Sequence, residues 1–375
     1  MKMKHTLLAL LVCLLASCGG GSQKTSDGMT IGMKTNAPVE ELIKDATLIP
    51  LETTDDCLLG DLLKIHESDG RLYIQDSRKS AVFVFDLSGK FLYKIERCGE
   101  GPEEYLEVSD FDVMDGVIYV LSISNKRILA YDENGKCVKM IPLKALYYNL
   151  AVEEERIVLY ANHASNLMHD VMVINHEGDV LGQYLPYHKQ GSYRMNGFGS
   201  PINKMEDGEY LFTFYFSGKV VSLKGETCDC KYRFNFDMKN RIPEEEMEGM
   251  MYDEIKDRLR YKESFMAIKG MAKDGDDNLM MVLSAFLDGK GLRDALCKVD
   301  LKNGTYQLYL LGEKIEEKCP YLSGVISVCG NKCYAYKTPY SMHRMHESLG
   351  TPIPEGLAED DNPVIEIYTL NLDKM

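Results

Sequence analysis

The stretch Arg71-Leu-Tyr-Ile-Gln-Asp-Ser-Arg-Lys-Ser-Ala-Val-Phe-Val-Phe-Asp-Leu-Ser-Gly-Lys90 decides the fold, because it holds most of one repeated unit. It contains a strand, a polar turn, a second strand and a hairpin centred on glycine. The first strand has six copies, at Arg71–Gln75, Val117–Leu121, Arg156–Tyr160, Tyr210–Phe214, Leu279–Leu283 and Lys332–Tyr336. The hairpin glycines are Gly89, Gly135, Gly178, Gly225 and Gly304, at positions where tight turns need a positive φ. We therefore expect six β units in tandem.

These strands carry bulky apolar groups on both faces, as in Ala81–Phe85 and Leu211–Phe216. Such strands are typical of sheets that are covered on both sides. Six such units of about four strands each predict an all-β, six-bladed β-propeller. A pair of β-sandwich domains is the alternative, but sandwich strands alternate apolar and polar residues more cleanly. The strand-like Ala46–Glu52 lacks a hairpin partner, so we expect it to close the ring beside Val364–Leu370.

The first residues resemble an export signal. Lys2 and Lys4 precede an apolar run that is too short to span a bilayer, and Leu15-Ala16-Ser17-Cys18 resembles the lipobox of bacterial lipoproteins. We therefore predict a signal peptide over 1–17, lipidation of Cys18 and a lipid-anchored flexible linker over 18–40. Residues 41–375 then form a single propeller domain. The expected location is the cell envelope, at the outer membrane, with the periplasm-facing side preferred over surface display.

The amino-acid composition restricts the classes of partner that we expect. The formal net charge is -15, with no cluster of Lys and Arg, so nucleic acid is not an expected partner. The same charge gives weak attraction to anionic lipids, so attachment to the membrane depends on the acyl chains. The chain has no Trp and 23 Tyr, which weakens glycan binding through aromatic platforms without removing it. Tyr147, Tyr148, Tyr184, Tyr187 and Tyr193 lie near predicted connections between blades.

Cysteines and histidines give no strong metal or disulfide pattern. Cys228 and Cys230 would share one face of a strand, where we expect buried thiols and no zinc. Cys329 and Cys333 flank a short turn, and a disulfide between them is one possibility. His343 and His346 are spaced for a shared metal only on a helix, and no third ligand is fixed nearby. We assign no metal, no cofactor and no catalytic residue.

Two insertions interrupt the repeat, at about 240–267 and 338–362. The first begins at Pro243 with three acidic residues and should be a helix of about 20 residues in the fifth-blade region. Its apolar stripe consists of Met247, Met251, Ile255 and Leu259. This stripe is expected to pack on the propeller, and a partner surface is the alternative. The second insertion should be a loop over one rim.

Three motifs resemble the six-bladed β-propeller lipoproteins of Gram-negative gut bacteria, whose blades are of NHL and TolB type. They are Leu48–Thr53, Gly99–Leu106 before Asp110-Phe111, and Lys231–Asp237 followed by Ile242-Pro243. Glu103 departs from the usual small residue of the second motif. The resemblance implies a propeller and an envelope location, and it implies no catalytic mechanism.

The densest motif supplies the candidate ligand-facing residues Gly99, Gly101, Pro102, Glu104, Tyr105, Asp110 and Asp112. A sharp turn between two blades explains the Gly-Pro part better than ligand contact does. The predicted function is a non-catalytic, lipid-anchored interaction module whose partner is an envelope protein. The alternatives are a receptor for a glycan or small ligand, and a calcium-dependent propeller hydrolase or lyase. The last needs carboxylates that converge at one mouth of the channel, for which only Asp110 and Asp112 are candidates.

Overall fold

The computed structural model describes residues 29–31, 33–35, 43–191, 199–205, 207–236, 238–259, 263–274, 277–287, 289–311 and 324–371. Three N-terminal strands come first in this part of the chain: β1 (Met29–Ile31), β2 (Met33–Thr35) and β3 (Ile43–Pro50). The other strands form six sheets in chain order, which we number as blades 1 to 6.

Each blade consists of consecutive antiparallel strands. Blade 1 contains β4 (Leu62–Ser68), β5 (Arg71–Asp76), β6 (Ala81–Asp86) and β7 (Phe91–Ile95). Blade 2 contains β8 (Asp110–Met114), β9 (Val117–Ser122), β10 (Arg127–Tyr131) and β11 (Cys137–Pro142). Blade 3 contains β12 (Asn149–Val152), β13 (Ile157–Tyr160), β14 (His169–Ile174) and β15 (Val180–Pro186).

The second half repeats the pattern. Blade 4 contains β16 (Ile202–Lys204), β17 (Tyr210–Phe214), β18 (Ser217–Lys224) and β19 (Thr227–Phe234). Blade 5 contains β20 (Ser264–Asp274), β21 (Asn278–Leu287), β22 (Gly291–Asp300) and β23 (Thr305–Leu310). Blade 6 contains β24 (Ser327–Cys329), β25 (Lys332–Lys337) and β26 (Val364–Leu370) together with β3.

The blades form a closed ring. Their first strands contact one another in the order β4, β8, β12, β16, β20, β24 and back to β4, so these six strands are innermost. Strand β26 pairs antiparallel with β3, with Ile367 opposite Thr47, so the last blade joins an N-terminal strand to the C-terminal strand. The predictions of a six-bladed propeller and of closure by terminal strands are therefore confirmed. The five hairpin glycines have positive φ as predicted, for example 87° at Gly89.

Neighbouring blades bury apolar surface between them. Ala81–Phe85 of β6 are all fully buried, and Val82 and Val84 pack in one cluster with Val120 and Leu129 of blade 2. Because both faces of the strands are covered, the two-sandwich alternative is wrong.

The linker predicted over 18–40 needs a correction in its second half. Strand β1 pairs in parallel with the outer strand β19 of blade 4, and β2 pairs in parallel with the outer strand β23 of blade 5. An outer strand exposes unpaired backbone groups, and an extended segment that lies beside it satisfies them. Each added strand has only three residues, too few to show a periodic pattern. Cys18 and the signal peptide lie outside the described residues.

The first insertion is helical but broken. It forms α1 (Glu244–Met247) and α2 (Tyr252–Leu259), separated by Gly249 with φ 87°. Met247, Ile255 and Leu259 are buried against Tyr215 and Met266 of the two flanking blades, as the packing interpretation predicts. Met251 is 53% exposed, because the break rotates it out of the stripe.

The second insertion contains a helix where a loop was predicted. Helix α3 spans Pro339–Leu349, with Thr338 as its N-cap and Gly350 as its left-handed C-cap. His343 Nε2 lies 2.9 Å from the carbonyl oxygen of Leu357, and His346 Nδ1 lies 2.6 Å from that of Thr351. Each ring is therefore held by a backbone carbonyl. No helix among the described residues is long and apolar enough to cross a membrane.

The cysteines are free thiols in the described part of the chain. The possible disulfide between Cys329 and Cys333 is absent, because Cys329 is opposite Lys332 and Cys333 is opposite Val328. The two thiols therefore lie on opposite faces of the hairpin. Cys228 and Cys230 are both buried on one face of β19, as predicted.

Candidate functional site: the central cavity

A cavity of about 640 Å³ lies on the axis of the ring. Residues from all six innermost strands line it, among them Lys64, Asp110, Asn149, Asn203, Lys269 and Ser327. Its volume falls in the range that small-molecule sites occupy.

The two ends of the cavity differ in chemistry. At the entry end, where connections between blades lead into the innermost strands, the wall contains Ser109, Tyr148, Asn162, Ser200 and Tyr215. All five side chains are uncharged. At the opposite end, which we call the exit end, the innermost strands turn into the second strands. There the wall contains His66, Asp112, Glu153, Lys204 and Cys329.

Between the two ends, polar side chains tie neighbouring blades together. An innermost strand is the open edge of its sheet, so its backbone groups need partners from outside the blade. Ser327 Oγ accepts a hydrogen bond from the N–H of Ile65 at 2.9 Å, and Asn203 Oδ1 accepts one from the N–H of Met271 at 2.9 Å. Lys269 Nζ donates to the carbonyl of Val325 at 2.6 Å. The middle of the wall is therefore structural.

Among these side chains, Asp110 contacts the largest number of neighbouring groups. Its side chain is 4% exposed and lies 2.7 Å from Lys64 Nζ of blade 1. Its other oxygen accepts hydrogen bonds from Asn149 Nδ2 and from the N–H of Leu150 in blade 3, both at 3.1 Å. One carboxylate thus joins three blades, which leaves it little capacity for a calcium ion or for proton transfer.

Asp112 and His66 lie nearer the exit end. Asp112 Oδ2 accepts a hydrogen bond from the N–H of Val152 at 2.7 Å, and its Oδ1 lies 3.9 Å from His66 Nδ1. Burial lowers the pKa of His66 below its usual value, although the charge of Asp112 opposes that shift. The imidazole is therefore held neutral near pH 7.

Glu153 is also paired at the exit end. It lies 2.6 Å from Arg156 Nε and 3.3 Å from Lys204 Nζ. Burial alone would raise the pKa of Glu153, but the hydrogen bond from Arg156 and the positive charges of Arg156 and Lys204 hold it below its usual value. The Cys329 side chain has accessible surface, but the protein atoms around it desolvate the thiol, and this desolvation, followed by the charge of Asp112, raises its pKa and disfavours a nucleophilic thiolate.

The structure separates the candidate ligand-facing residues into two groups. Asp110 and Asp112 line the cavity, whereas Gly99, Gly101, Pro102, Glu104 and Tyr105 lie in the connection between blades 1 and 2 and are absent from the cavity wall.

That connection is held by its own contacts. Glu104 Oε2 accepts a hydrogen bond from the N–H of Gly101 at 2.9 Å, and a Cβ at Gly99 would lie 2.0 Å from the same oxygen. The fully buried Tyr105 donates its hydroxyl to the carbonyl of Ile95 at 3.0 Å. The geometry matches the structural interpretation of the motif, in which the glycines make room for the Glu104 side chain.

No metal centre is evident among the described residues: they contain no group of three His, Cys, Asp or Glu side chains placed to hold one ion. His66, Asn162 and Cys329 are residues of the cavity wall that were not predicted from the sequence. Of these three, only His66 could have been identified from the sequence, because it lies just before the first repeated strand. Of the tyrosines singled out, Tyr148 lines the cavity and Tyr147 is buried, while Tyr193 lies outside the described residues.

These features define a class, the six-bladed β-propeller with an axial cavity lined by neutral polar groups at one end. The chain belongs to the family described as a domain of unknown function, DUF4934, whose profile matches residues 29–369. No curated protein has a significant match to the chain.

Two solved structures share the fold. A protein described as exported, from Bacteroides fragilis, matches with a TM-score of 0.67 at 16% identity over 91% of this chain and 99% of its own. A member of the DUF4221 family from Bacteroides vulgatus matches with a TM-score of 0.55 at 12% identity, over 88% of this chain and 97% of its own. At these identities the likeness concerns the fold alone.

Proposed function

We propose that this protein is an exported, lipid-anchored and non-catalytic binding module of the cell envelope, whose central cavity holds a small ligand. The observation that carries the proposal is the cavity of about 640 Å³ at the axis of the closed ring. Its charged side chains form ion pairs and hydrogen bonds between blades. Because these groups already have partners, they favour a binding function over a catalytic one.

The anchor is tested separately from the cavity. Cys18→Ala should move the protein from the membrane fraction to the soluble fraction and abolish incorporation of an alkyne-labelled palmitate. Ser17→Ala is the matched control, since it leaves the acylated thiol in place. Membrane attachment that persists in Cys18→Ala contradicts the lipid anchor and leaves the cavity proposal untouched. Protease added to intact cells then distinguishes the preferred periplasmic orientation from surface display.

The cavity is tested with protein extracted gently from its own envelope. We expect native mass spectrometry to show a small-molecule adduct on the wild type. Ser200→Trp places a large side chain in the entry-end wall and should remove the adduct. Ser88→Trp, in an exposed hairpin at the outside of blade 1, should retain it. Wild-type protein without any adduct, or an adduct that Ser200→Trp keeps, contradicts the proposal.

A second candidate function is docking of an envelope protein on the outside of blades 2 and 3. The N-terminal strands cover the outer edges of blades 4 and 5, whereas β11 and β15 are outermost in their sheets. Large apolar side chains are exposed there, Val138 and Met140 on β11 and Val180 and Leu181 on β15, at 47% to 58%. A photo-crosslinker at Val138 should capture one stoichiometric partner, and the same group at exposed Leu292 of blade 5 should not. Equal labelling at both positions contradicts this candidate.

A further inference from the structure

Asn162 is a buried amide without a hydrogen-bond partner in the wall of the cavity. The residue is 2% exposed and is one of those that line the entry end. Within the described residues, neither its Oδ1 nor its Nδ2 has a hydrogen-bond partner. A buried amide left unpaired costs about 1 to 3 kcal/mol, so such groups are rare in native proteins.

The backbone at this position is strained and firmly held. Asn162 and His163 are consecutive residues with φ of 50° and 61°, in the turn between β13 and β14. Asp170, which is 1% exposed, accepts a hydrogen bond from the N–H of His163 and lies 2.7 Å from the Nδ1 of the same ring. The His163 ring stacks on Tyr187 with centroids 4.8 Å apart. The surrounding structure therefore fixes Asn162 in a conformation that costs free energy, as binding sites often do.

The surroundings of Asn162 define the chemistry of a ligand. The other wall residues at the entry end are the uncharged Ser109, Tyr148, Ser200 and Tyr215. Among the described residues, a charged ligand would find no unpaired counter-charge at this end, because the cations deeper in the wall, Lys64 and Lys269, are paired with Asp110 and Asp294. A primary amide presents a donor and an acceptor side by side. It complements a group with the same pattern, such as two adjacent hydroxyls or another amide.

We propose that Asn162 recognises a neutral small ligand at the entry end of the cavity, through paired hydrogen bonds to adjacent hydroxyls or to an amide. This inference rests on the proposed function, since it specifies what the cavity binds and where. The ligand supplies the two missing hydrogen bonds, so binding removes the cost that the unliganded protein bears.

The test measures binding of named probes to the full-length lipoprotein by saturation-transfer NMR. One arm uses methyl glucoside, methyl galactoside and maltose, which offer hydroxyls. The other arm uses N-acetylalanine amide and N-acetylglycylglycine amide, which offer amides without hydroxyls. Glucuronate and glucosamine are the charged counterparts of the sugars, and N-acetylalanine, which carries a carboxylate, is the charged counterpart of the amides. We expect one neutral arm to bind, and its charged counterparts to bind at least about 10-fold more weakly. Asn162→Ala should weaken binding about 10- to 100-fold, as loss of two hydrogen bonds implies. Asn134→Ala, in the exposed hairpin between β10 and β11, is the matched control and should leave binding unchanged.

The outcomes separate the two proposals. If no probe of either arm binds the wild type, this inference is overturned together with the small-ligand function. If a probe binds, and Ser200→Trp abolishes binding while Asn162→Ala does not, the cavity proposal stands and recognition by Asn162 is wrong. If charged probes bind as well as neutral ones, the assignment of ligand class is wrong. Thermal unfolding of each variant verifies that it is folded.

Discussion

Replacing Asn162 with glycine should make the unliganded protein more stable. The change removes an amide whose two polar atoms are buried without hydrogen-bond partners in the described structure, a cost of about 1 to 3 kcal/mol. It also relieves a positive φ of 50°, which costs a non-glycine residue about 1 kcal/mol. Glycine offsets this second gain, because it increases the conformational entropy of the unfolded chain by about 0.4 to 1 kcal/mol. The net expectation is a gain of about 1 to 3.5 kcal/mol in the free energy of unfolding.

Asn362 provides the matched control, because it is another asparagine that is 2% exposed. Its Oδ1 accepts a hydrogen bond from the N–H of Leu59 at 2.8 Å. Its Nδ2 donates to the carbonyls of Glu52 at 2.6 Å and of Cys57 at 2.8 Å. Asn362→Gly leaves these three groups unpaired and should cost about 3 kcal/mol or more.

The assay is equilibrium unfolding in urea, followed by circular dichroism, with protein from which bound small molecules have been removed. We expect the change in the free energy of unfolding to have opposite signs in the two variants. A loss of 1 kcal/mol or more in Asn162→Gly would show that the amide has a structural partner, and it would refute the assignment of Asn162 to ligand recognition.

Three further outcomes are expected. Deletion of residues 44–54 should prevent folding, because it removes most of the strand that closes blade 6. Deletion of 19–24 should leave the thermal midpoint unchanged. Equal effects of the two deletions in circular dichroism melts would contradict closure of the ring by the N-terminal strand. Asp110→Ala should lower the free energy of unfolding in urea by about 3 to 5 kcal/mol, because it removes the counter-ion of Lys64 and the acceptor for the N–H of Leu150. A loss below about 1 kcal/mol would show that these contacts of Asp110 contribute little to stability. Burial raises the pKa of Glu366 from 4.5 to about 7 in the folded protein, so stability from this group is complete below pH 4.5 and is lost as the pH rises through about 7. Between pH 4 and pH 8 the free energy of unfolding should therefore fall by about 3 kcal/mol less in Glu366→Gln than in the wild type. The exposed Glu355→Gln should show the same fall as the wild type. An unchanged pH profile in Glu366→Gln would contradict the raised pKa of Glu366.

Local patterns were sufficient to predict the ring. Apolar strands such as Ala81–Phe85 and glycines such as Gly89 act within a few residues of sequence, and they define the blades directly. The closing strand was also predictable, because an unpaired strand at each end of a repeat array has one evident partner. The actual strand, Ile43–Pro50, begins three residues before the predicted one.

The features that were missed depend on contacts between distant residues. Strands β1 and β2 exist because the outer edges of blades 4 and 5 are open, and neither edge is adjacent in sequence. The helix α3 has a clear N-cap and C-cap, but the prolines and acids that follow it favoured a loop. Asn162 has no sequence signature, since its role depends on Asp170 fixing the turn and on a cavity built by all six blades. Asp112 was predicted from its motif, although His66 beside it was not.

Binding of a neutral small ligand beside Asn162 is open to direct observation. The decisive experiment is a crystal structure of the protein extracted from its own envelope. We expect electron density for a non-protein molecule at the entry end of the cavity, within hydrogen-bond distance of Oδ1 and Nδ2 of Asn162. Density for ordered water alone throughout the cavity, or for a ligand bound on another surface, would contradict it.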